Sequence, residues 1–323
     1  MSRRGRLTLG LATAVGVLGL ASVVATSLNY PYDTDPEVDG AQQGRAKEYY
    51  KGSYQSPPPV PPDTAPAGTV SESEDVYVRT ARCAARNARV LERVQQFVAD
   101  HGLSGKRVLD VGSGAGLLQD VVDDYTGLDI SGSARRYYHK PFVEASATDI
   151  PFSDDSFDAV WSIWVLEHIP NPERALGEMR RVVKDGGYIF LWPAWGCPTW
   201  LADGYQVRPY GDFDLTGKVV KASVAIRSTR AYRLLYRRQV QAIRWAFVRL
   251  SGGPSRLHFV RLQPNYSTYW QPDSDAAVSV SLHEVSLWFS SRGDTCTNCP
   301  SELQMAGWTA APDQMIIRVR KRS

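Results

Sequence analysis

Cysteine is scarce in this 323-residue chain. Cys83, Cys197, Cys296 and Cys299 are too few and too scattered to staple a disulfide scaffold. Cys296-x-x-Cys299 has metal-site spacing, but no second pair and no histidine pair accompanies it. No metal ligand set is visible, and a free or locally bridged pair is the expectation. No internal repeat is present. A net charge of +3 with 43% apolar residues excludes a disordered chain and a uniformly basic one. Within the body of the chain, Leu215 to Pro272 contains no acid, while eleven basic residues fall between Lys218 and Arg261.

Inside that acid-free window Tyr232, Tyr236, Val240, Ile243, Phe247 and Leu250 step by three or four, which makes one apolar face of a helix over 230–250. Arginines lie between them. Three readings stay open: a surface helix with a solvated basic face, an amphipathic helix on anionic lipid, or a clamp for an acidic substrate. No nucleic-acid-reading motif appears, so nucleic acid is not expected as a partner. Trp192 to Trp200 and Tyr269-Trp270 are aromatic-rich and serve either as substrate walls or as core.

At the other end, Leu7 to Leu28 is a 22-residue run without charge behind Arg3, Arg4 and Arg6. As a helix it would extend about 33 Å, enough to span a hydrocarbon core of about 30 Å. The expectation is a single-pass membrane anchor. The alternative is a signal segment, with export after cleavage. The side of the membrane is unresolved: the flanking charges favour the body outside, and the cofactor implied below favours the cytosol. Residues 29–70 are proline-rich around Pro57 to Pro62 and read as a semi-extended spacer.

The rest is organised by Val108-Leu109-Asp110-Val111-Gly112-Ser113-Gly114-Ala115-Gly116. An apolar run, alternate glycines and then Leu117, Leu118, Val121 and Val122 read as strand, tight turn and helix. The dinucleotide fingerprint G-x-G-x-x-G needs glycine at 117, where leucine stands. Asp110 precedes the first glycine by two residues. A carboxylate there would repel a pyrophosphate and attract a cationic ligand. A second strand, Tyr125 to Ile130, ends in Asp129, 19 residues after Asp110, a distance suited to ribose recognition. Then follow Asp149-Ile150-Pro151-Phe152, a strand from Phe157 to Ile163, Val165-Leu166-Glu167-His168-Ile169, a helix from Pro172 to Lys184 and a strand from Tyr188 to Trp192.

In these segments the chain resembles the class I S-adenosylmethionine (SAM)-dependent methyltransferases, and most closely the methyltransferase 11 type. The resemblance covers about residues 71–193 and weakens over 194–275. It implies an α/β fold: a Rossmann-like seven-stranded sheet with helices on both faces, carrying an inserted, mostly helical basic segment and an N-terminal hydrophobic helix. It implies SAM as cofactor, bound by Asp110, Gly112, Ser113, Gly114, Gly116, Asp129, Ile130, Asp149, Ile150 and Trp164. His168, at a strand end, is the candidate catalytic base. The implied activity is methyl transfer to a small-molecule, lipid or glycan acceptor, with a non-catalytic lipid- or partner-binding module of the same fold as the alternative. The expected organisation is an anchor or signal over 1–28, a spacer over 29–70, the cofactor-binding core over 71–193, a substrate- or membrane-facing insert over 194–275 and a C-terminal completion of the sheet over 276–323. Within that last part, Ser281-Leu282-His283-Glu284 starts a helix and 314–319 forms a final antiparallel strand.

Overall fold

The computed structural model describes residues 16–17, 19–20, 40–52, 90–268, 270–299 and 313–321. Among the described residues no helix is long and apolar enough to cross a membrane. The expected anchor and the stretch of spacer from 53 to 70 lie outside them, apart from four residues of the anchor.

Five parallel strands form the centre: β1 (Arg107–Val111), β2 (Asp124–Asp129), β3 (Phe142–Glu144), β4 (Phe157–Ile163) and β5 (Val183–Trp192). Two short strands pair on their own as β6 (Phe259–Arg261) and β7 (Val278–Val280). β8 (Thr295–Cys296) and β9 (Met315–Arg318) complete a seven-stranded sheet of order β3-β2-β1-β4-β5-β9-β8. β9 runs antiparallel to both neighbours. The strand order reverses at β1, because the chain goes out to β3 and returns to β4 on the other side. In an open α/β sheet, the carboxyl ends of strands at such a reversal form the ligand crevice.

Strand alternation sorts the core into two layers. Leu109, Val111, Val160, Ile189, Leu191, Met315 and Ile317 face one side. There they meet α3 (Pro172–Val182) and α6 (Leu282–Ser290), named in chain order after α1 (Gly40–Gly52) and α2 (Val90–Asp100). Val108, Tyr125, Ala159, Trp161 and Phe190 face the other side and meet Val90, Val94, Phe97 and Val98 of α2. Each such aliphatic or aromatic side chain contributes roughly 1.5–3 kcal/mol by leaving water.

Helix starts follow their caps. Asn171 accepts from the Arg174 amide with Pro172 at the first helical position, and Ser281 accepts from the Glu284 amide. Two local expectations change. Leu117 to Val122 forms a chain of turns, because left-handed Gly116 (φ 67°) cannot open a helix. α3 stops at Val182, and β5 begins at Val183 with an irregular register to β4. A third difference matters most. Inside the stretch read as spacer, Gly40–Gly52 is helical. Its Ala, Gln, Lys and Glu residues favour helix, and no proline lies between Pro36 and Pro57.

The acid-free window holds α4 (Leu215–Arg227) and α5 (Arg230–Ser251). α5 matches the expected helix, ending at left-handed Gly252. Ile243, Phe247 and Leu250 stand in solvent, the last 87% exposed. Arg244 instead reaches inward to Glu284 on α6, with contacts of 3.0 and 3.2 Å.

Candidate active site

The crevice begins at the turn after β1. The Gly112 and Ser113 amides both donate to the Leu128 carbonyl, at 2.8 and 3.0 Å. Gly112 is left-handed (φ 75°), and a Cβ there would collide with the methyl groups of Val165. Glycine thus lets the segment after β4 press against the turn. Asp129 closes the arrangement: one carboxylate oxygen accepts from the Gly114 amide and the other from the Ser131 amide, each at 2.9 Å. Burial pushes its carboxyl up to about 6, against the pull of those backbone donors. At neutral pH it is therefore mostly ionised.

A cleft opens beside Asp129. One wall is Gly112, Leu128, Asp129 and Ile130; another is Ala145 to Thr148; a third is Val165 and His168 to Asn171. The fourth is α1, through Gln43, Ala46 and Tyr50. α1 is tied down at three points. Gln43 Nε2 donates to Thr148 Oγ1 at 3.3 Å, the Ser133 hydroxyl donates to the Lys51 carbonyl at 3.1 Å, and the Tyr50 hydroxyl donates to Asp275 at 2.9 Å.

Of the residues singled out from sequence, Gly112, Asp129, Ile130 and His168 line this cleft. Ser113, Gly114 and Gly116 shape the turn without lining it. Asp110 faces the α2 layer, as its parity with Val108 dictates. Its carboxylate accepts the Tyr125 hydroxyl at 2.8 Å. Burial pushes it up to about 7, against donation from Tyr125. The expected attraction of Asp110 for a cationic ligand is thus replaced by a buried hydrogen bond. Asp149 is exposed, and the Ile150 amide donates to Glu178 at 2.9 Å, so neither lines the cleft. Trp164, left-handed at φ 53°, packs against Trp192 on the α2 side.

His168 sits in a turn of 3₁₀-helix, Leu166–His168. Its Nδ1 lies 3.7 Å from Asp275 and its Nε2 3.9 Å from Glu167. Burial would lower the imidazole, but the Asp275 and Glu167 carboxylates outweigh it and hold it above the usual histidine value. Glu167 accepts the Ala194 amide at 3.0 Å, and burial pushes its carboxyl up to about 7. Asp273 and Asp275 come from the turn that follows the insert. They and α1 escaped the sequence reading. The available signal was slight: they are the first acids after the acid-free window.

Comparison with known proteins now adds to this geometry. Residues 109–191 match the family model described as "Methyltransferase domain". The chain carries a class I methyltransferase domain. It is similar to a ubiquinone biosynthesis O-methyltransferase of Dechloromonas aromatica, 40% identical over 106 residues, covering 28% of this chain and 44% of that protein. It is also similar to phthiotriol/phenolphthiotriol dimycocerosates methyltransferase 1 of Mycobacterium ulcerans, 34% identical across 137 residues, covering 37% and 51% respectively. Among solved structures it aligns with the SAM-bound amino pentose methyltransferase CalS10 of Micromonospora echinaspora at 19% identity and a TM-score of 0.33, covering 37% of this chain and 57% of that one. The chain spans about half the length of the curated relatives it matches.

Proposed function

We propose that this chain transfers a methyl group from SAM to a small-molecule, lipid or glycan acceptor. The carrying observation is Asp129: an ionised carboxylate, fixed by two backbone amides, lining the cleft at the sheet's reversal point. The cleft passes a test of fit. It offers a carboxylate for ribose hydroxyls beside an apolar wall of Leu128, Ile130, Ala147 and Ile169. When bound, SAM supplies an electrophilic methyl on a cationic sulfur.

The chain's own part is alignment and exclusion of water. Asp129 and Ile130 would hold the nucleoside end, and Thr148 the rim. α1 closes the fourth side, so two reactants share a desolvated space; such confinement lowers a bimolecular barrier by several kcal/mol. His168 provides the polar end of the cleft.

A membrane setting is part of the proposal. The uncharged run 7–28, the exposed Ile243, Phe247 and Leu250, and the acid-free window together suit an anionic bilayer surface. The test is calorimetric titration of the full chain in detergent with SAM and its demethylated product, followed by labelled-methyl transfer to fractionated extract. Heat of binding with label in one acceptor fraction supports the proposal; no heat with either ligand overturns it.

A further inference from the structure

Behind the cleft wall lies a group of which the methyltransferase reading uses only His168. Glu167, His168 and Asp273 each offer a ligand atom, and these atoms lie within 4.8 Å of one another. Asp275 stands next to them, 3.7 Å from His168 Nδ1. Acid clusters are common on protein surfaces, where water screens them. This one lies mostly inside: the Glu167 and Asp275 side chains are each 1% exposed, that of His168 is 10% exposed, and Asp273 is half-buried. Three carboxylates crowd a single imidazole. Buried charge of one sign is retained when a counter-ion or metal neutralises it.

One atom points to a missing occupant. Glu167 Oε2 is buried and has no hydrogen-bond partner among the described residues, while His168 Nδ1 faces Asp275 and leaves Nε2 on the Glu167 side. Such atoms are uncommon in folded proteins and call for an explanation. The local backbone fits one. Asp273 is left-handed (φ 61°), a conformation uncommon for a non-glycine residue and often found at ligand-holding positions. It sits in the turn where the Ala276 amide donates to the Asp273 carbonyl, and the Ala277 amide then donates to the Glu167 carbonyl at 2.8 Å. The turn after the insert is thus latched to the turn after β4.

We propose that Glu167, His168 and Asp273 form a divalent-cation site, with Asp275 orienting the imidazole. A donor set of one imidazole nitrogen and carboxylate oxygens suits a first-row divalent ion such as Mn²⁺ or Zn²⁺. Asp275 has the place of the outer-shell carboxylate that commonly steadies a metal-bound histidine. The ion would join the β4 turn to the turn after the insert and fix His168 at the cleft wall. Glu167 and Asp273 are 106 positions apart, so no local spacing in the sequence could reveal the set. This inference does not depend on methyl transfer.

The test uses the full chain in detergent, stripped with a chelator and titrated with Mn²⁺. Bound ion is read from loss of the free-Mn²⁺ paramagnetic signal, and melting temperature is followed in parallel. Zn²⁺ is titrated by competition. The expected result is one equivalent bound in the micromolar range with a rise in melting temperature. Asp273→Asn should abolish binding; asparagine tolerates the left-handed backbone, so the fold is kept. Asp275→Asn should weaken binding by about 10–100-fold. Should Asp273→Asn fail to fold, Asp275→Asn carries the test. The proposal is overturned if neither ion binds the stripped protein, or if the folded variants bind as the parent does.

Discussion

The Tyr50 hydroxyl donates to Asp275 at 2.9 Å, joining residues 225 positions apart. One lies on a helix before the methyltransferase domain and the other in the turn after the basic insert. The α1 wall of the cleft is therefore held in place by a residue from beyond the domain.

That closure makes the boundary of α1 testable. Removing residues 1–39 should leave cofactor affinity unchanged, whereas removing 1–52 should weaken it about tenfold or more by opening one wall. Tyr50→Phe should have an intermediate effect, since a net hydrogen bond contributes about 1 kcal/mol. Calorimetry with the demethylated cofactor separates the three; equal affinities throughout would show α1 to be a bystander.

Asp129→Asn keeps an acceptor but loses the charge and leaves a donor facing the Gly114 or Ser131 amide. Cofactor affinity should fall roughly 10–100-fold, about 1.4–2.8 kcal/mol. His168→Asn should lower transfer more than cofactor affinity. The reverse order in side-by-side titrations would place the nucleoside at the wrong end of the cleft.

Asp110 gives a pH signature. Burial raises its carboxyl to about 7 in the fold, from the ordinary carboxylate value of 3.8. The folded state then holds the proton more tightly than the unfolded chain, so stability is full below about 4 and is lost as pH rises to about 7. Asp110→Asn preserves the acceptor for Tyr125 and removes that loss. Its melting temperature should exceed the parent's at pH 8, with the gap narrowing at pH 5. An equal gap at both would assign the effect to packing alone.

Arg244 and Glu284 form a buried pair, with side chains 12% and 2% exposed. Arg244→Ala strands a carboxylate inside the protein and should cost about 3–5 kcal/mol in urea unfolding. Arg244→Met with Glu284→Gln should recover much of it. A loss under 1 kcal/mol for the single change would mean water reaches Glu284.

For the membrane proposal, Phe247→Ser with Leu250→Ser should reduce cosedimentation with anionic vesicles severalfold and leave melting temperature unchanged. Both side chains are exposed, so their removal opens no cavity. Undiminished cosedimentation would reduce α5 to a surface helix.

Local chemistry was readable in the sequence where neighbours in the chain are neighbours in space. The glycine turn after β1, Asp129 at the end of β2, the Ser281 cap and the antiparallel strand near 314–319 all follow from short-range pattern. Asp110 is a different lesson. Its proximity to the glycines suggested a role in the crevice, but alternation with Leu109 and Val111 turns it to the other face. α1 reaches the cleft, and the Asp273–Asp275 turn reaches His168, only through tertiary folding, so no window of sequence contains them together.

β9 has one more implication. It is the last of the described strands in the chain, yet it lies between β5 and β8. Until it emerges from the ribosome, Tyr188 to Leu191 of β5 present unpaired backbone along a strongly apolar ribbon. Such a ribbon is a template for association with other nascent chains. Recovery of this protein from expression should thus depend on how fast the segment 315–318 follows β5 into place, and on chaperones shielding that ribbon in the interval.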